Sequence, residues 1–65
     1  MNNRLRELRI KRKWTQSNIA DWLRVSSKEI QSIERNRSIP SLRLANRIAD
    51  LFEVPVQLIF DQKTE

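Results

Sequence analysis

Apolar residues return every three or four positions along this chain and almost never alternate, so the pattern predicts four or five helices and next to no strand. A first helix is expected over about 3–13, with Leu5, Leu8 and the aliphatic stems of Arg9 and Arg12 on its inner face. Trp14 then closes that end of the core. Thr15 is a good N-cap, because its hydroxyl accepts from the free N–H groups of the following turn. A second helix covers about 16–23 and turns Ile19, Ala20 and Leu23 inward. Ser26-Ser27-Lys28-Glu29 fits a capping box, Ser at the cap and Glu three residues later, so a third helix starts near 27 and runs to about 35. Its only apolar positions are Ile30 and Ile33, a narrow stripe that leaves most of its surface polar.

"NRSIP" reads as a loop, since Pro40 stops any continuation of the third helix. Ser41 can cap a fourth helix over about 42–53, with Leu42, Ala45, Ile48, Ala49 and Phe52 inward. Pro55 suits the first turn of a last short helix, "PVQLIF", which sends Val56, Ile59 and Phe60 to the core. Residues 61–65 read as a flexible or extended tail, and 1–65 as a single domain.

Composition narrows what such a bundle can do. At 65 residues the chain is near the lower limit for a core that folds alone. It holds no Cys and no His, which excludes disulfides, the usual zinc sites and Ser-His or Cys-His nucleophile pairs. With no Gly-rich phosphate loop and no evident carboxylate pair, an enzyme has the least support, and no cofactor, metal or small-molecule ligand is expected. The start, "MNNRLRELRIKRK", is charged and leads into no apolar run, unlike a signal peptide, and no stretch of about 18 apolar residues could span a bilayer. A cytoplasmic protein without a membrane partner is therefore expected.

Charge changes the picture more. The net charge of +5 is unevenly spread: residues 1–43 carry eleven basic and four acidic residues, and residues 44–65 carry two basic and four acidic ones. A positive excess in one part of a small domain is the footprint of a polyanion partner, though a merely soluble surface would also be charged. The predicted third helix sits in the basic part. Its outward residues Ser27, Lys28, Gln31, Ser32 and Arg35 fall at i, i+1, i+4, i+5 and i+8 and so share one side. Lys28 could donate to guanine O6 or N7, and Gln31 could pair with both edges of an adenine. A solvated polar face would look the same on this helix alone.

The segment from Trp14 to Pro55, "WTQSNIADWLRVSSKEIQSIERNRSIPSLRLANRIADLFEVP", resembles the Cro and phage-repressor family of helix-turn-helix regulators, the xenobiotic-response-element type. The resemblance covers roughly residues 4–60. It rests on Thr15-Gln16 with Ile19-Ala20 and Leu23, on Val25-Ser26, on Ile30 with Ile33-Glu34, and on Pro40-Ser41-Leu42 with Ala45 and Ile48-Ala49. It implies an all-α, compact five-helix fold like the lambda repressor's, with the third helix in the major groove. It implies a phosphate contact from Gln16, base reading by Ser27, Lys28, Gln31 and Ser32, and a backbone grip from Arg35, Asn36 and Arg37. It also implies a structural ion pair between Arg9 and Glu34, because a carboxylate set near phosphates would repel them. The partner would be double-stranded DNA, bound in the nucleoid by a homodimeric repressor on a two-fold-symmetric operator.

The family pattern usually has glycine where this chain has Lys13, Arg24, Arg35 or Asn36, and Glu53. These are helix ends, where glycine enters the left-handed region without strain. A left-handed Arg24 would cost on the order of 1 kcal/mol, small against several buried apolar side chains at about 1.5–3 kcal/mol each. The chain is therefore expected to keep the turn without its glycine. Some apolar residues have no evident place in the core: Trp22 and Leu58, with Leu44, Leu51 and Ile39 half covered. Val56 and Leu58 suggest a homodimer interface. Trp22 and Leu58 also motivate an alternative, a protein-interaction module of antitoxin or adaptor type on the same fold.

Overall fold

The computed structural model describes residues 2–61. Five helices follow one another: α1 (Leu5–Lys11), α2 (Gln16–Leu23), α3 (Ser27–Glu34), α4 (Leu42–Phe52) and α5 (Val56–Ile59). Two very short strands, β1 (Asn2–Asn3) and β2 (Phe60–Asp61), pair antiparallel, with Asn2 opposite Asp61 and Asn3 opposite Phe60. The expected all-α, five-helix architecture is the one formed, and the strand pair is a small addition that joins the two ends of the chain. Of the expected tail, Asp61 is extended in β2, and residues 62–65 lie outside the described residues.

Each helix of the central motif starts where a side chain can serve its free N–H groups. Thr15 Oγ1 accepts from Asn18 N at 3.0 Å, and Asn18 Oδ1 accepts in return from Thr15 N at 3.0 Å, a full capping box. Ser26 and Ser41 accept from Glu29 N and Leu44 N, each at 3.1 Å. The box expected at Ser26 and Glu29 is thus only half made: the described hydrogen bonds include no return from the Glu29 side chain. Asn, shorter than Glu, closes the reciprocal pair at α2 instead.

The helix ends share one solution. Lys13, Arg24, Asn36 and Glu53 have φ of 61°, 61°, 61° and 59°, the left-handed region, with no glycine in the chain to occupy it. Each is the pivot of a Schellman motif. Trp14 N donates to Arg9 O and Lys13 N to Ile10 O after α1; Val25 N to Ala20 O and Arg24 N to Asp21 O after α2. Arg37 N donates to Ser32 O and Asn36 N to Ile33 O after α3; Val54 N to Ala49 O and Glu53 N to Asp50 O after α4. The backbone strain at each site is offset by carbonyls that would otherwise stay unpaired at the helix end. The apolar residues that follow, Trp14, Val25 and Val54, pack back against the core.

That core is Leu5, Ile19, Ala20, Leu23, Ile30, Ile33, Ala45, Ile48, Ala49, Phe52, Ile59 and Phe60, with contributions from every helix. The inward faces expected for α2 and α3 are all in it. Leu42 is a correction: expected inside, it is 72% exposed. It occupies the first position of α4, and helical side chains lean towards the N-terminus, so Leu42 points past the end of the core. Ile39, expected half covered, is 75% exposed in the loop before it, whereas Leu44 and Leu51 are half-buried. Val56 is half-buried rather than in the core. Helix α1 is also shorter than expected, because Asn3 is drawn into β1 and the left-handed turn at Lys13 ends the helix at Lys11. Trp14 caps the corner as expected, 5.2 Å from Phe52 and edge-to-face with Trp22 at 4.9 Å. Arg12 clamps the same corner by donating from Nη2 to Phe52 O at 2.8 Å, with its guanidinium 5.2 Å from the Trp14 ring.

Candidate nucleic-acid interface

Because Ile30 and Ile33 are wholly buried, the rotation of α3 about its axis is fixed and its polar residues face out. Ser27 and Lys28 are exposed at its start; Gln31 and Ser32, one turn on, are half-buried but surface-facing. Arg35, Asn36 and Arg37 follow as an exposed basic turn, held by the Schellman bonds that end the helix. Length and donor chemistry suit these groups to base edges at one end of the helix and phosphates at the other.

Behind this face lies a polar network. Arg9 Nε donates to Glu34 Oε2 at 2.7 Å and Arg9 Nη2 to Glu34 Oε1 at 3.2 Å, a two-pronged ion pair. Arg9 Nη1 donates to Trp14 O at 3.0 Å, and Gln16 Nε2 donates to Glu34 Oε1 at 3.1 Å. The Glu34 side chain is only 3% exposed and that of Arg9 13%, so both charges have lost most of their water and depend on each other. Among the described residues, no buried side-chain polar atom is left without a partner. Glu34 therefore faces the protein, and the network ties α1, the start of α2 and the end of α3 together.

Gln16, which the resemblance sets against a phosphate, spends one of its two amide hydrogens on Glu34, and the described hydrogen bonds include none from the other. It lines an open cleft with Arg6, Arg9, Thr15, Glu34 and Arg35. In the first turn of α2 the Asn18 N–H is taken by Thr15 Oγ1, while those of Gln16 and Ser17 have no intrahelical acceptor, and Thr15 and Gln16 bring this end of the helix to the cleft. Three arginines against one paired carboxylate make it electropositive. Beyond the net charge, the signal for Arg6 in the sequence is its place one turn before Arg9, on the same side of α1. Val56 and Leu58 lie apart from these groups in sequence, on α5, half-buried and 50% exposed respectively.

Two short helices joined by a tight left-handed turn, the second showing its polar face to solvent, define a helix-turn-helix domain of the Cro-like type. The chain belongs to the helix-turn-helix domain family, whose pattern matches residues 2–65. It is similar to an uncharacterised HTH-type transcriptional regulator of Methanocaldococcus jannaschii, at 40% identity over 60 residues that cover 92% of this chain and 91% of the relative. An uncharacterised HTH-type transcriptional regulator of Archaeoglobus fulgidus is 37% identical over 60 residues, 92% of this chain and 86% of the relative. No helix among the described residues is long and apolar enough to cross a membrane.

Proposed function

We propose that this chain is a sequence-specific transcriptional regulator, a cytoplasmic, nucleoid-associated repressor that binds double-stranded DNA as a homodimer on a two-fold-symmetric operator. The observation that carries this reading is α3: it buries two residues and offers Ser27, Lys28, Gln31 and Ser32 outward, beside the basic turn Arg35–Arg37. Membership of the helix-turn-helix family and relatives named as transcriptional regulators support a DNA-binding regulator.

In this mechanism Gln16, the first turn of α2, Arg35, Asn36 and Arg37 hold phosphates on either side of the major groove and set the register of α3. Lys28 and Gln31 read purine edges, while Ser27 and Ser32 donate or accept at neighbouring positions. The exposed Leu58, with Val56, supports a dimer through α5, which would hold two recognition helices about one DNA turn apart. Repression then needs no ligand: occupancy of the operator excludes other proteins from it.

The test is replacement of the reading face. Lys28→Ala with Gln31→Ala is expected to cost about 1–3 kcal/mol per lost base contact on the preferred duplex, with little change on unrelated duplexes. Arg35→Ala or Arg37→Ala should instead weaken all duplexes and lower the salt dependence by about one phosphate each. If replacing the reading face leaves cellular function intact, the protein-interaction reading takes its place. The 48% exposure of Trp22 is the observation that favours that second reading.

A further inference from the structure

The short strand pair places one residue, Asn3, in contact with three parts of the fold. Asn3 pairs with Phe60, and the next residue, Arg4, donates its N–H to Ile59 O at 2.9 Å. Ile59 and Phe60 are buried, so the backbone of Asn3 is fixed to the C-terminal wall of the core. From there its side-chain amide acts in two directions. Oδ1 accepts from Leu5 N at 2.9 Å, at the start of α1. Nδ2 donates to Ile33 O, at the end of α3.

Ile33 O is also the acceptor of Asn36 N, at 3.0 Å, one of the two bonds that shape the turn after α3; the other is Arg37 N to Ser32 O at 2.9 Å. A carbonyl oxygen has two lone pairs, and here both are used. The second donor holds the peptide plane around which Arg35, Asn36 and Arg37 are wound. The amide serves both ends from separate atoms, since the contact at Leu5 needs an acceptor and the contact at Ile33 needs a donor.

We propose that Asn3 is a positioning residue for phosphate binding: through Ile33 O it sets the turn that carries Arg35, Asn36 and Arg37. It touches no DNA itself. This rests on the reading of that turn as the phosphate grip, and the experiment separates the two. Asn3→Asp keeps the acceptor for Leu5 N, with a charge that suits a helix N-terminus, but loses the donor to Ile33 O. Asn3→Ala loses both and adds no charge.

In Asn3→Asp, amide exchange at Asn36 and Arg37 should quicken about five-fold, the worth of one net hydrogen bond, while amides of α1 keep their protection. In Asn3→Ala the amides of early α1 should quicken as well. Affinity for duplex DNA should fall by a similar factor in both variants, and that fall should vanish in a background carrying Arg35→Ala, Asn36→Ala and Arg37→Ala. Unchanged exchange at Asn36 and Arg37 overturns the proposal. So does a loss of affinity in Asn3→Ala that persists in the triple background, which would mean a general structural effect. A wild-type chain that binds no duplex refutes the DNA reading and the phosphate role with it, while the exchange rates still decide whether Asn3 holds the turn.

Discussion

The turn between α2 and α3 holds Arg24 at φ 61° and ψ 42°, a conformation that costs an ordinary L-residue about 1–2 kcal/mol. Replacing it by glycine removes that cost and returns about 0.5–1 kcal/mol of it, because glycine loses more freedom on folding. The Schellman bonds, Val25 N to Ala20 O at 3.0 Å and Arg24 N to Asp21 O at 3.2 Å, are backbone bonds and survive the change. The Arg24 side chain is exposed, and the described hydrogen bonds and ion pairs include none from it. Arg24→Gly should therefore gain about 0.5–1 kcal/mol, a rise of about 2–8 °C in Tm for a domain of this size. Arg24→Ala, which removes the side chain and keeps the strain, should change stability little, so the pair separates backbone from side chain. Lys13→Gly and Glu53→Gly should behave like Arg24→Gly, and Asn36→Gly should gain less, because Asn enters this region more readily. Thermal and urea unfolding of the five variants would measure this. A loss of stability in Arg24→Gly would refute the reasoning, since it would assign to the side chain a contribution larger than the strain.

The buried network sets a second expectation. Arg9→Ala or Glu34→Ala alone should cost about 3 kcal/mol, because each leaves a charge stranded with little water, and the double variant should cost clearly less than the sum. Zero coupling in that cycle would remove Glu34 from its structural role. Phe52→Ala, which empties a site that is 1% exposed beneath Trp14, should cost about 3–5 kcal/mol and shift the Trp fluorescence; a small cost would mean the corner refills. Leu58→Glu should leave the monomer folded, since Leu58 is half outside the core, and should convert a dimer to monomers in sedimentation. A dimer that survives it lies elsewhere on the surface.

Much of the fold was legible because it is written locally. The α2 boundaries follow from Thr15 as cap and from the spacing of Ile19, Ala20 and Leu23, and they are met to the residue. The left-handed positions were legible from the glycine pattern of the family that the chain resembles: Lys13, Arg24 and Glu53 have positive φ at helix ends, and of Arg35 and Asn36 it is Asn36 that does. What escaped depends on residues distant in sequence. Two-residue strands carry no periodicity, and Asn3 meets Phe60 and Ile33 only once the core brings them together. Leu42 fits the inward spacing of α4 but lies where that helix runs beyond its neighbours. In the site, the outward placement of Lys28 and Gln31 was legible from helix periodicity, and the pairing of Glu34 with Arg9 from the resemblance. The hydrogen bond from Gln16 to Glu34 needed the packing of α2 against α3, and the presence of Arg6 in the cleft that of α1 against α3.

The central claim, that α3 reads duplex DNA, is tested most directly by selecting bound duplexes from a random pool and titrating the winner over a range of salt. The account predicts an enriched, two-fold-symmetric sequence with half-sites about one helical turn apart. It also predicts an affinity that falls steeply with salt, by a logarithmic slope of about 0.9 for each phosphate contacted. A pool that stays random through repeated selection, or binding indifferent to salt, would contradict it.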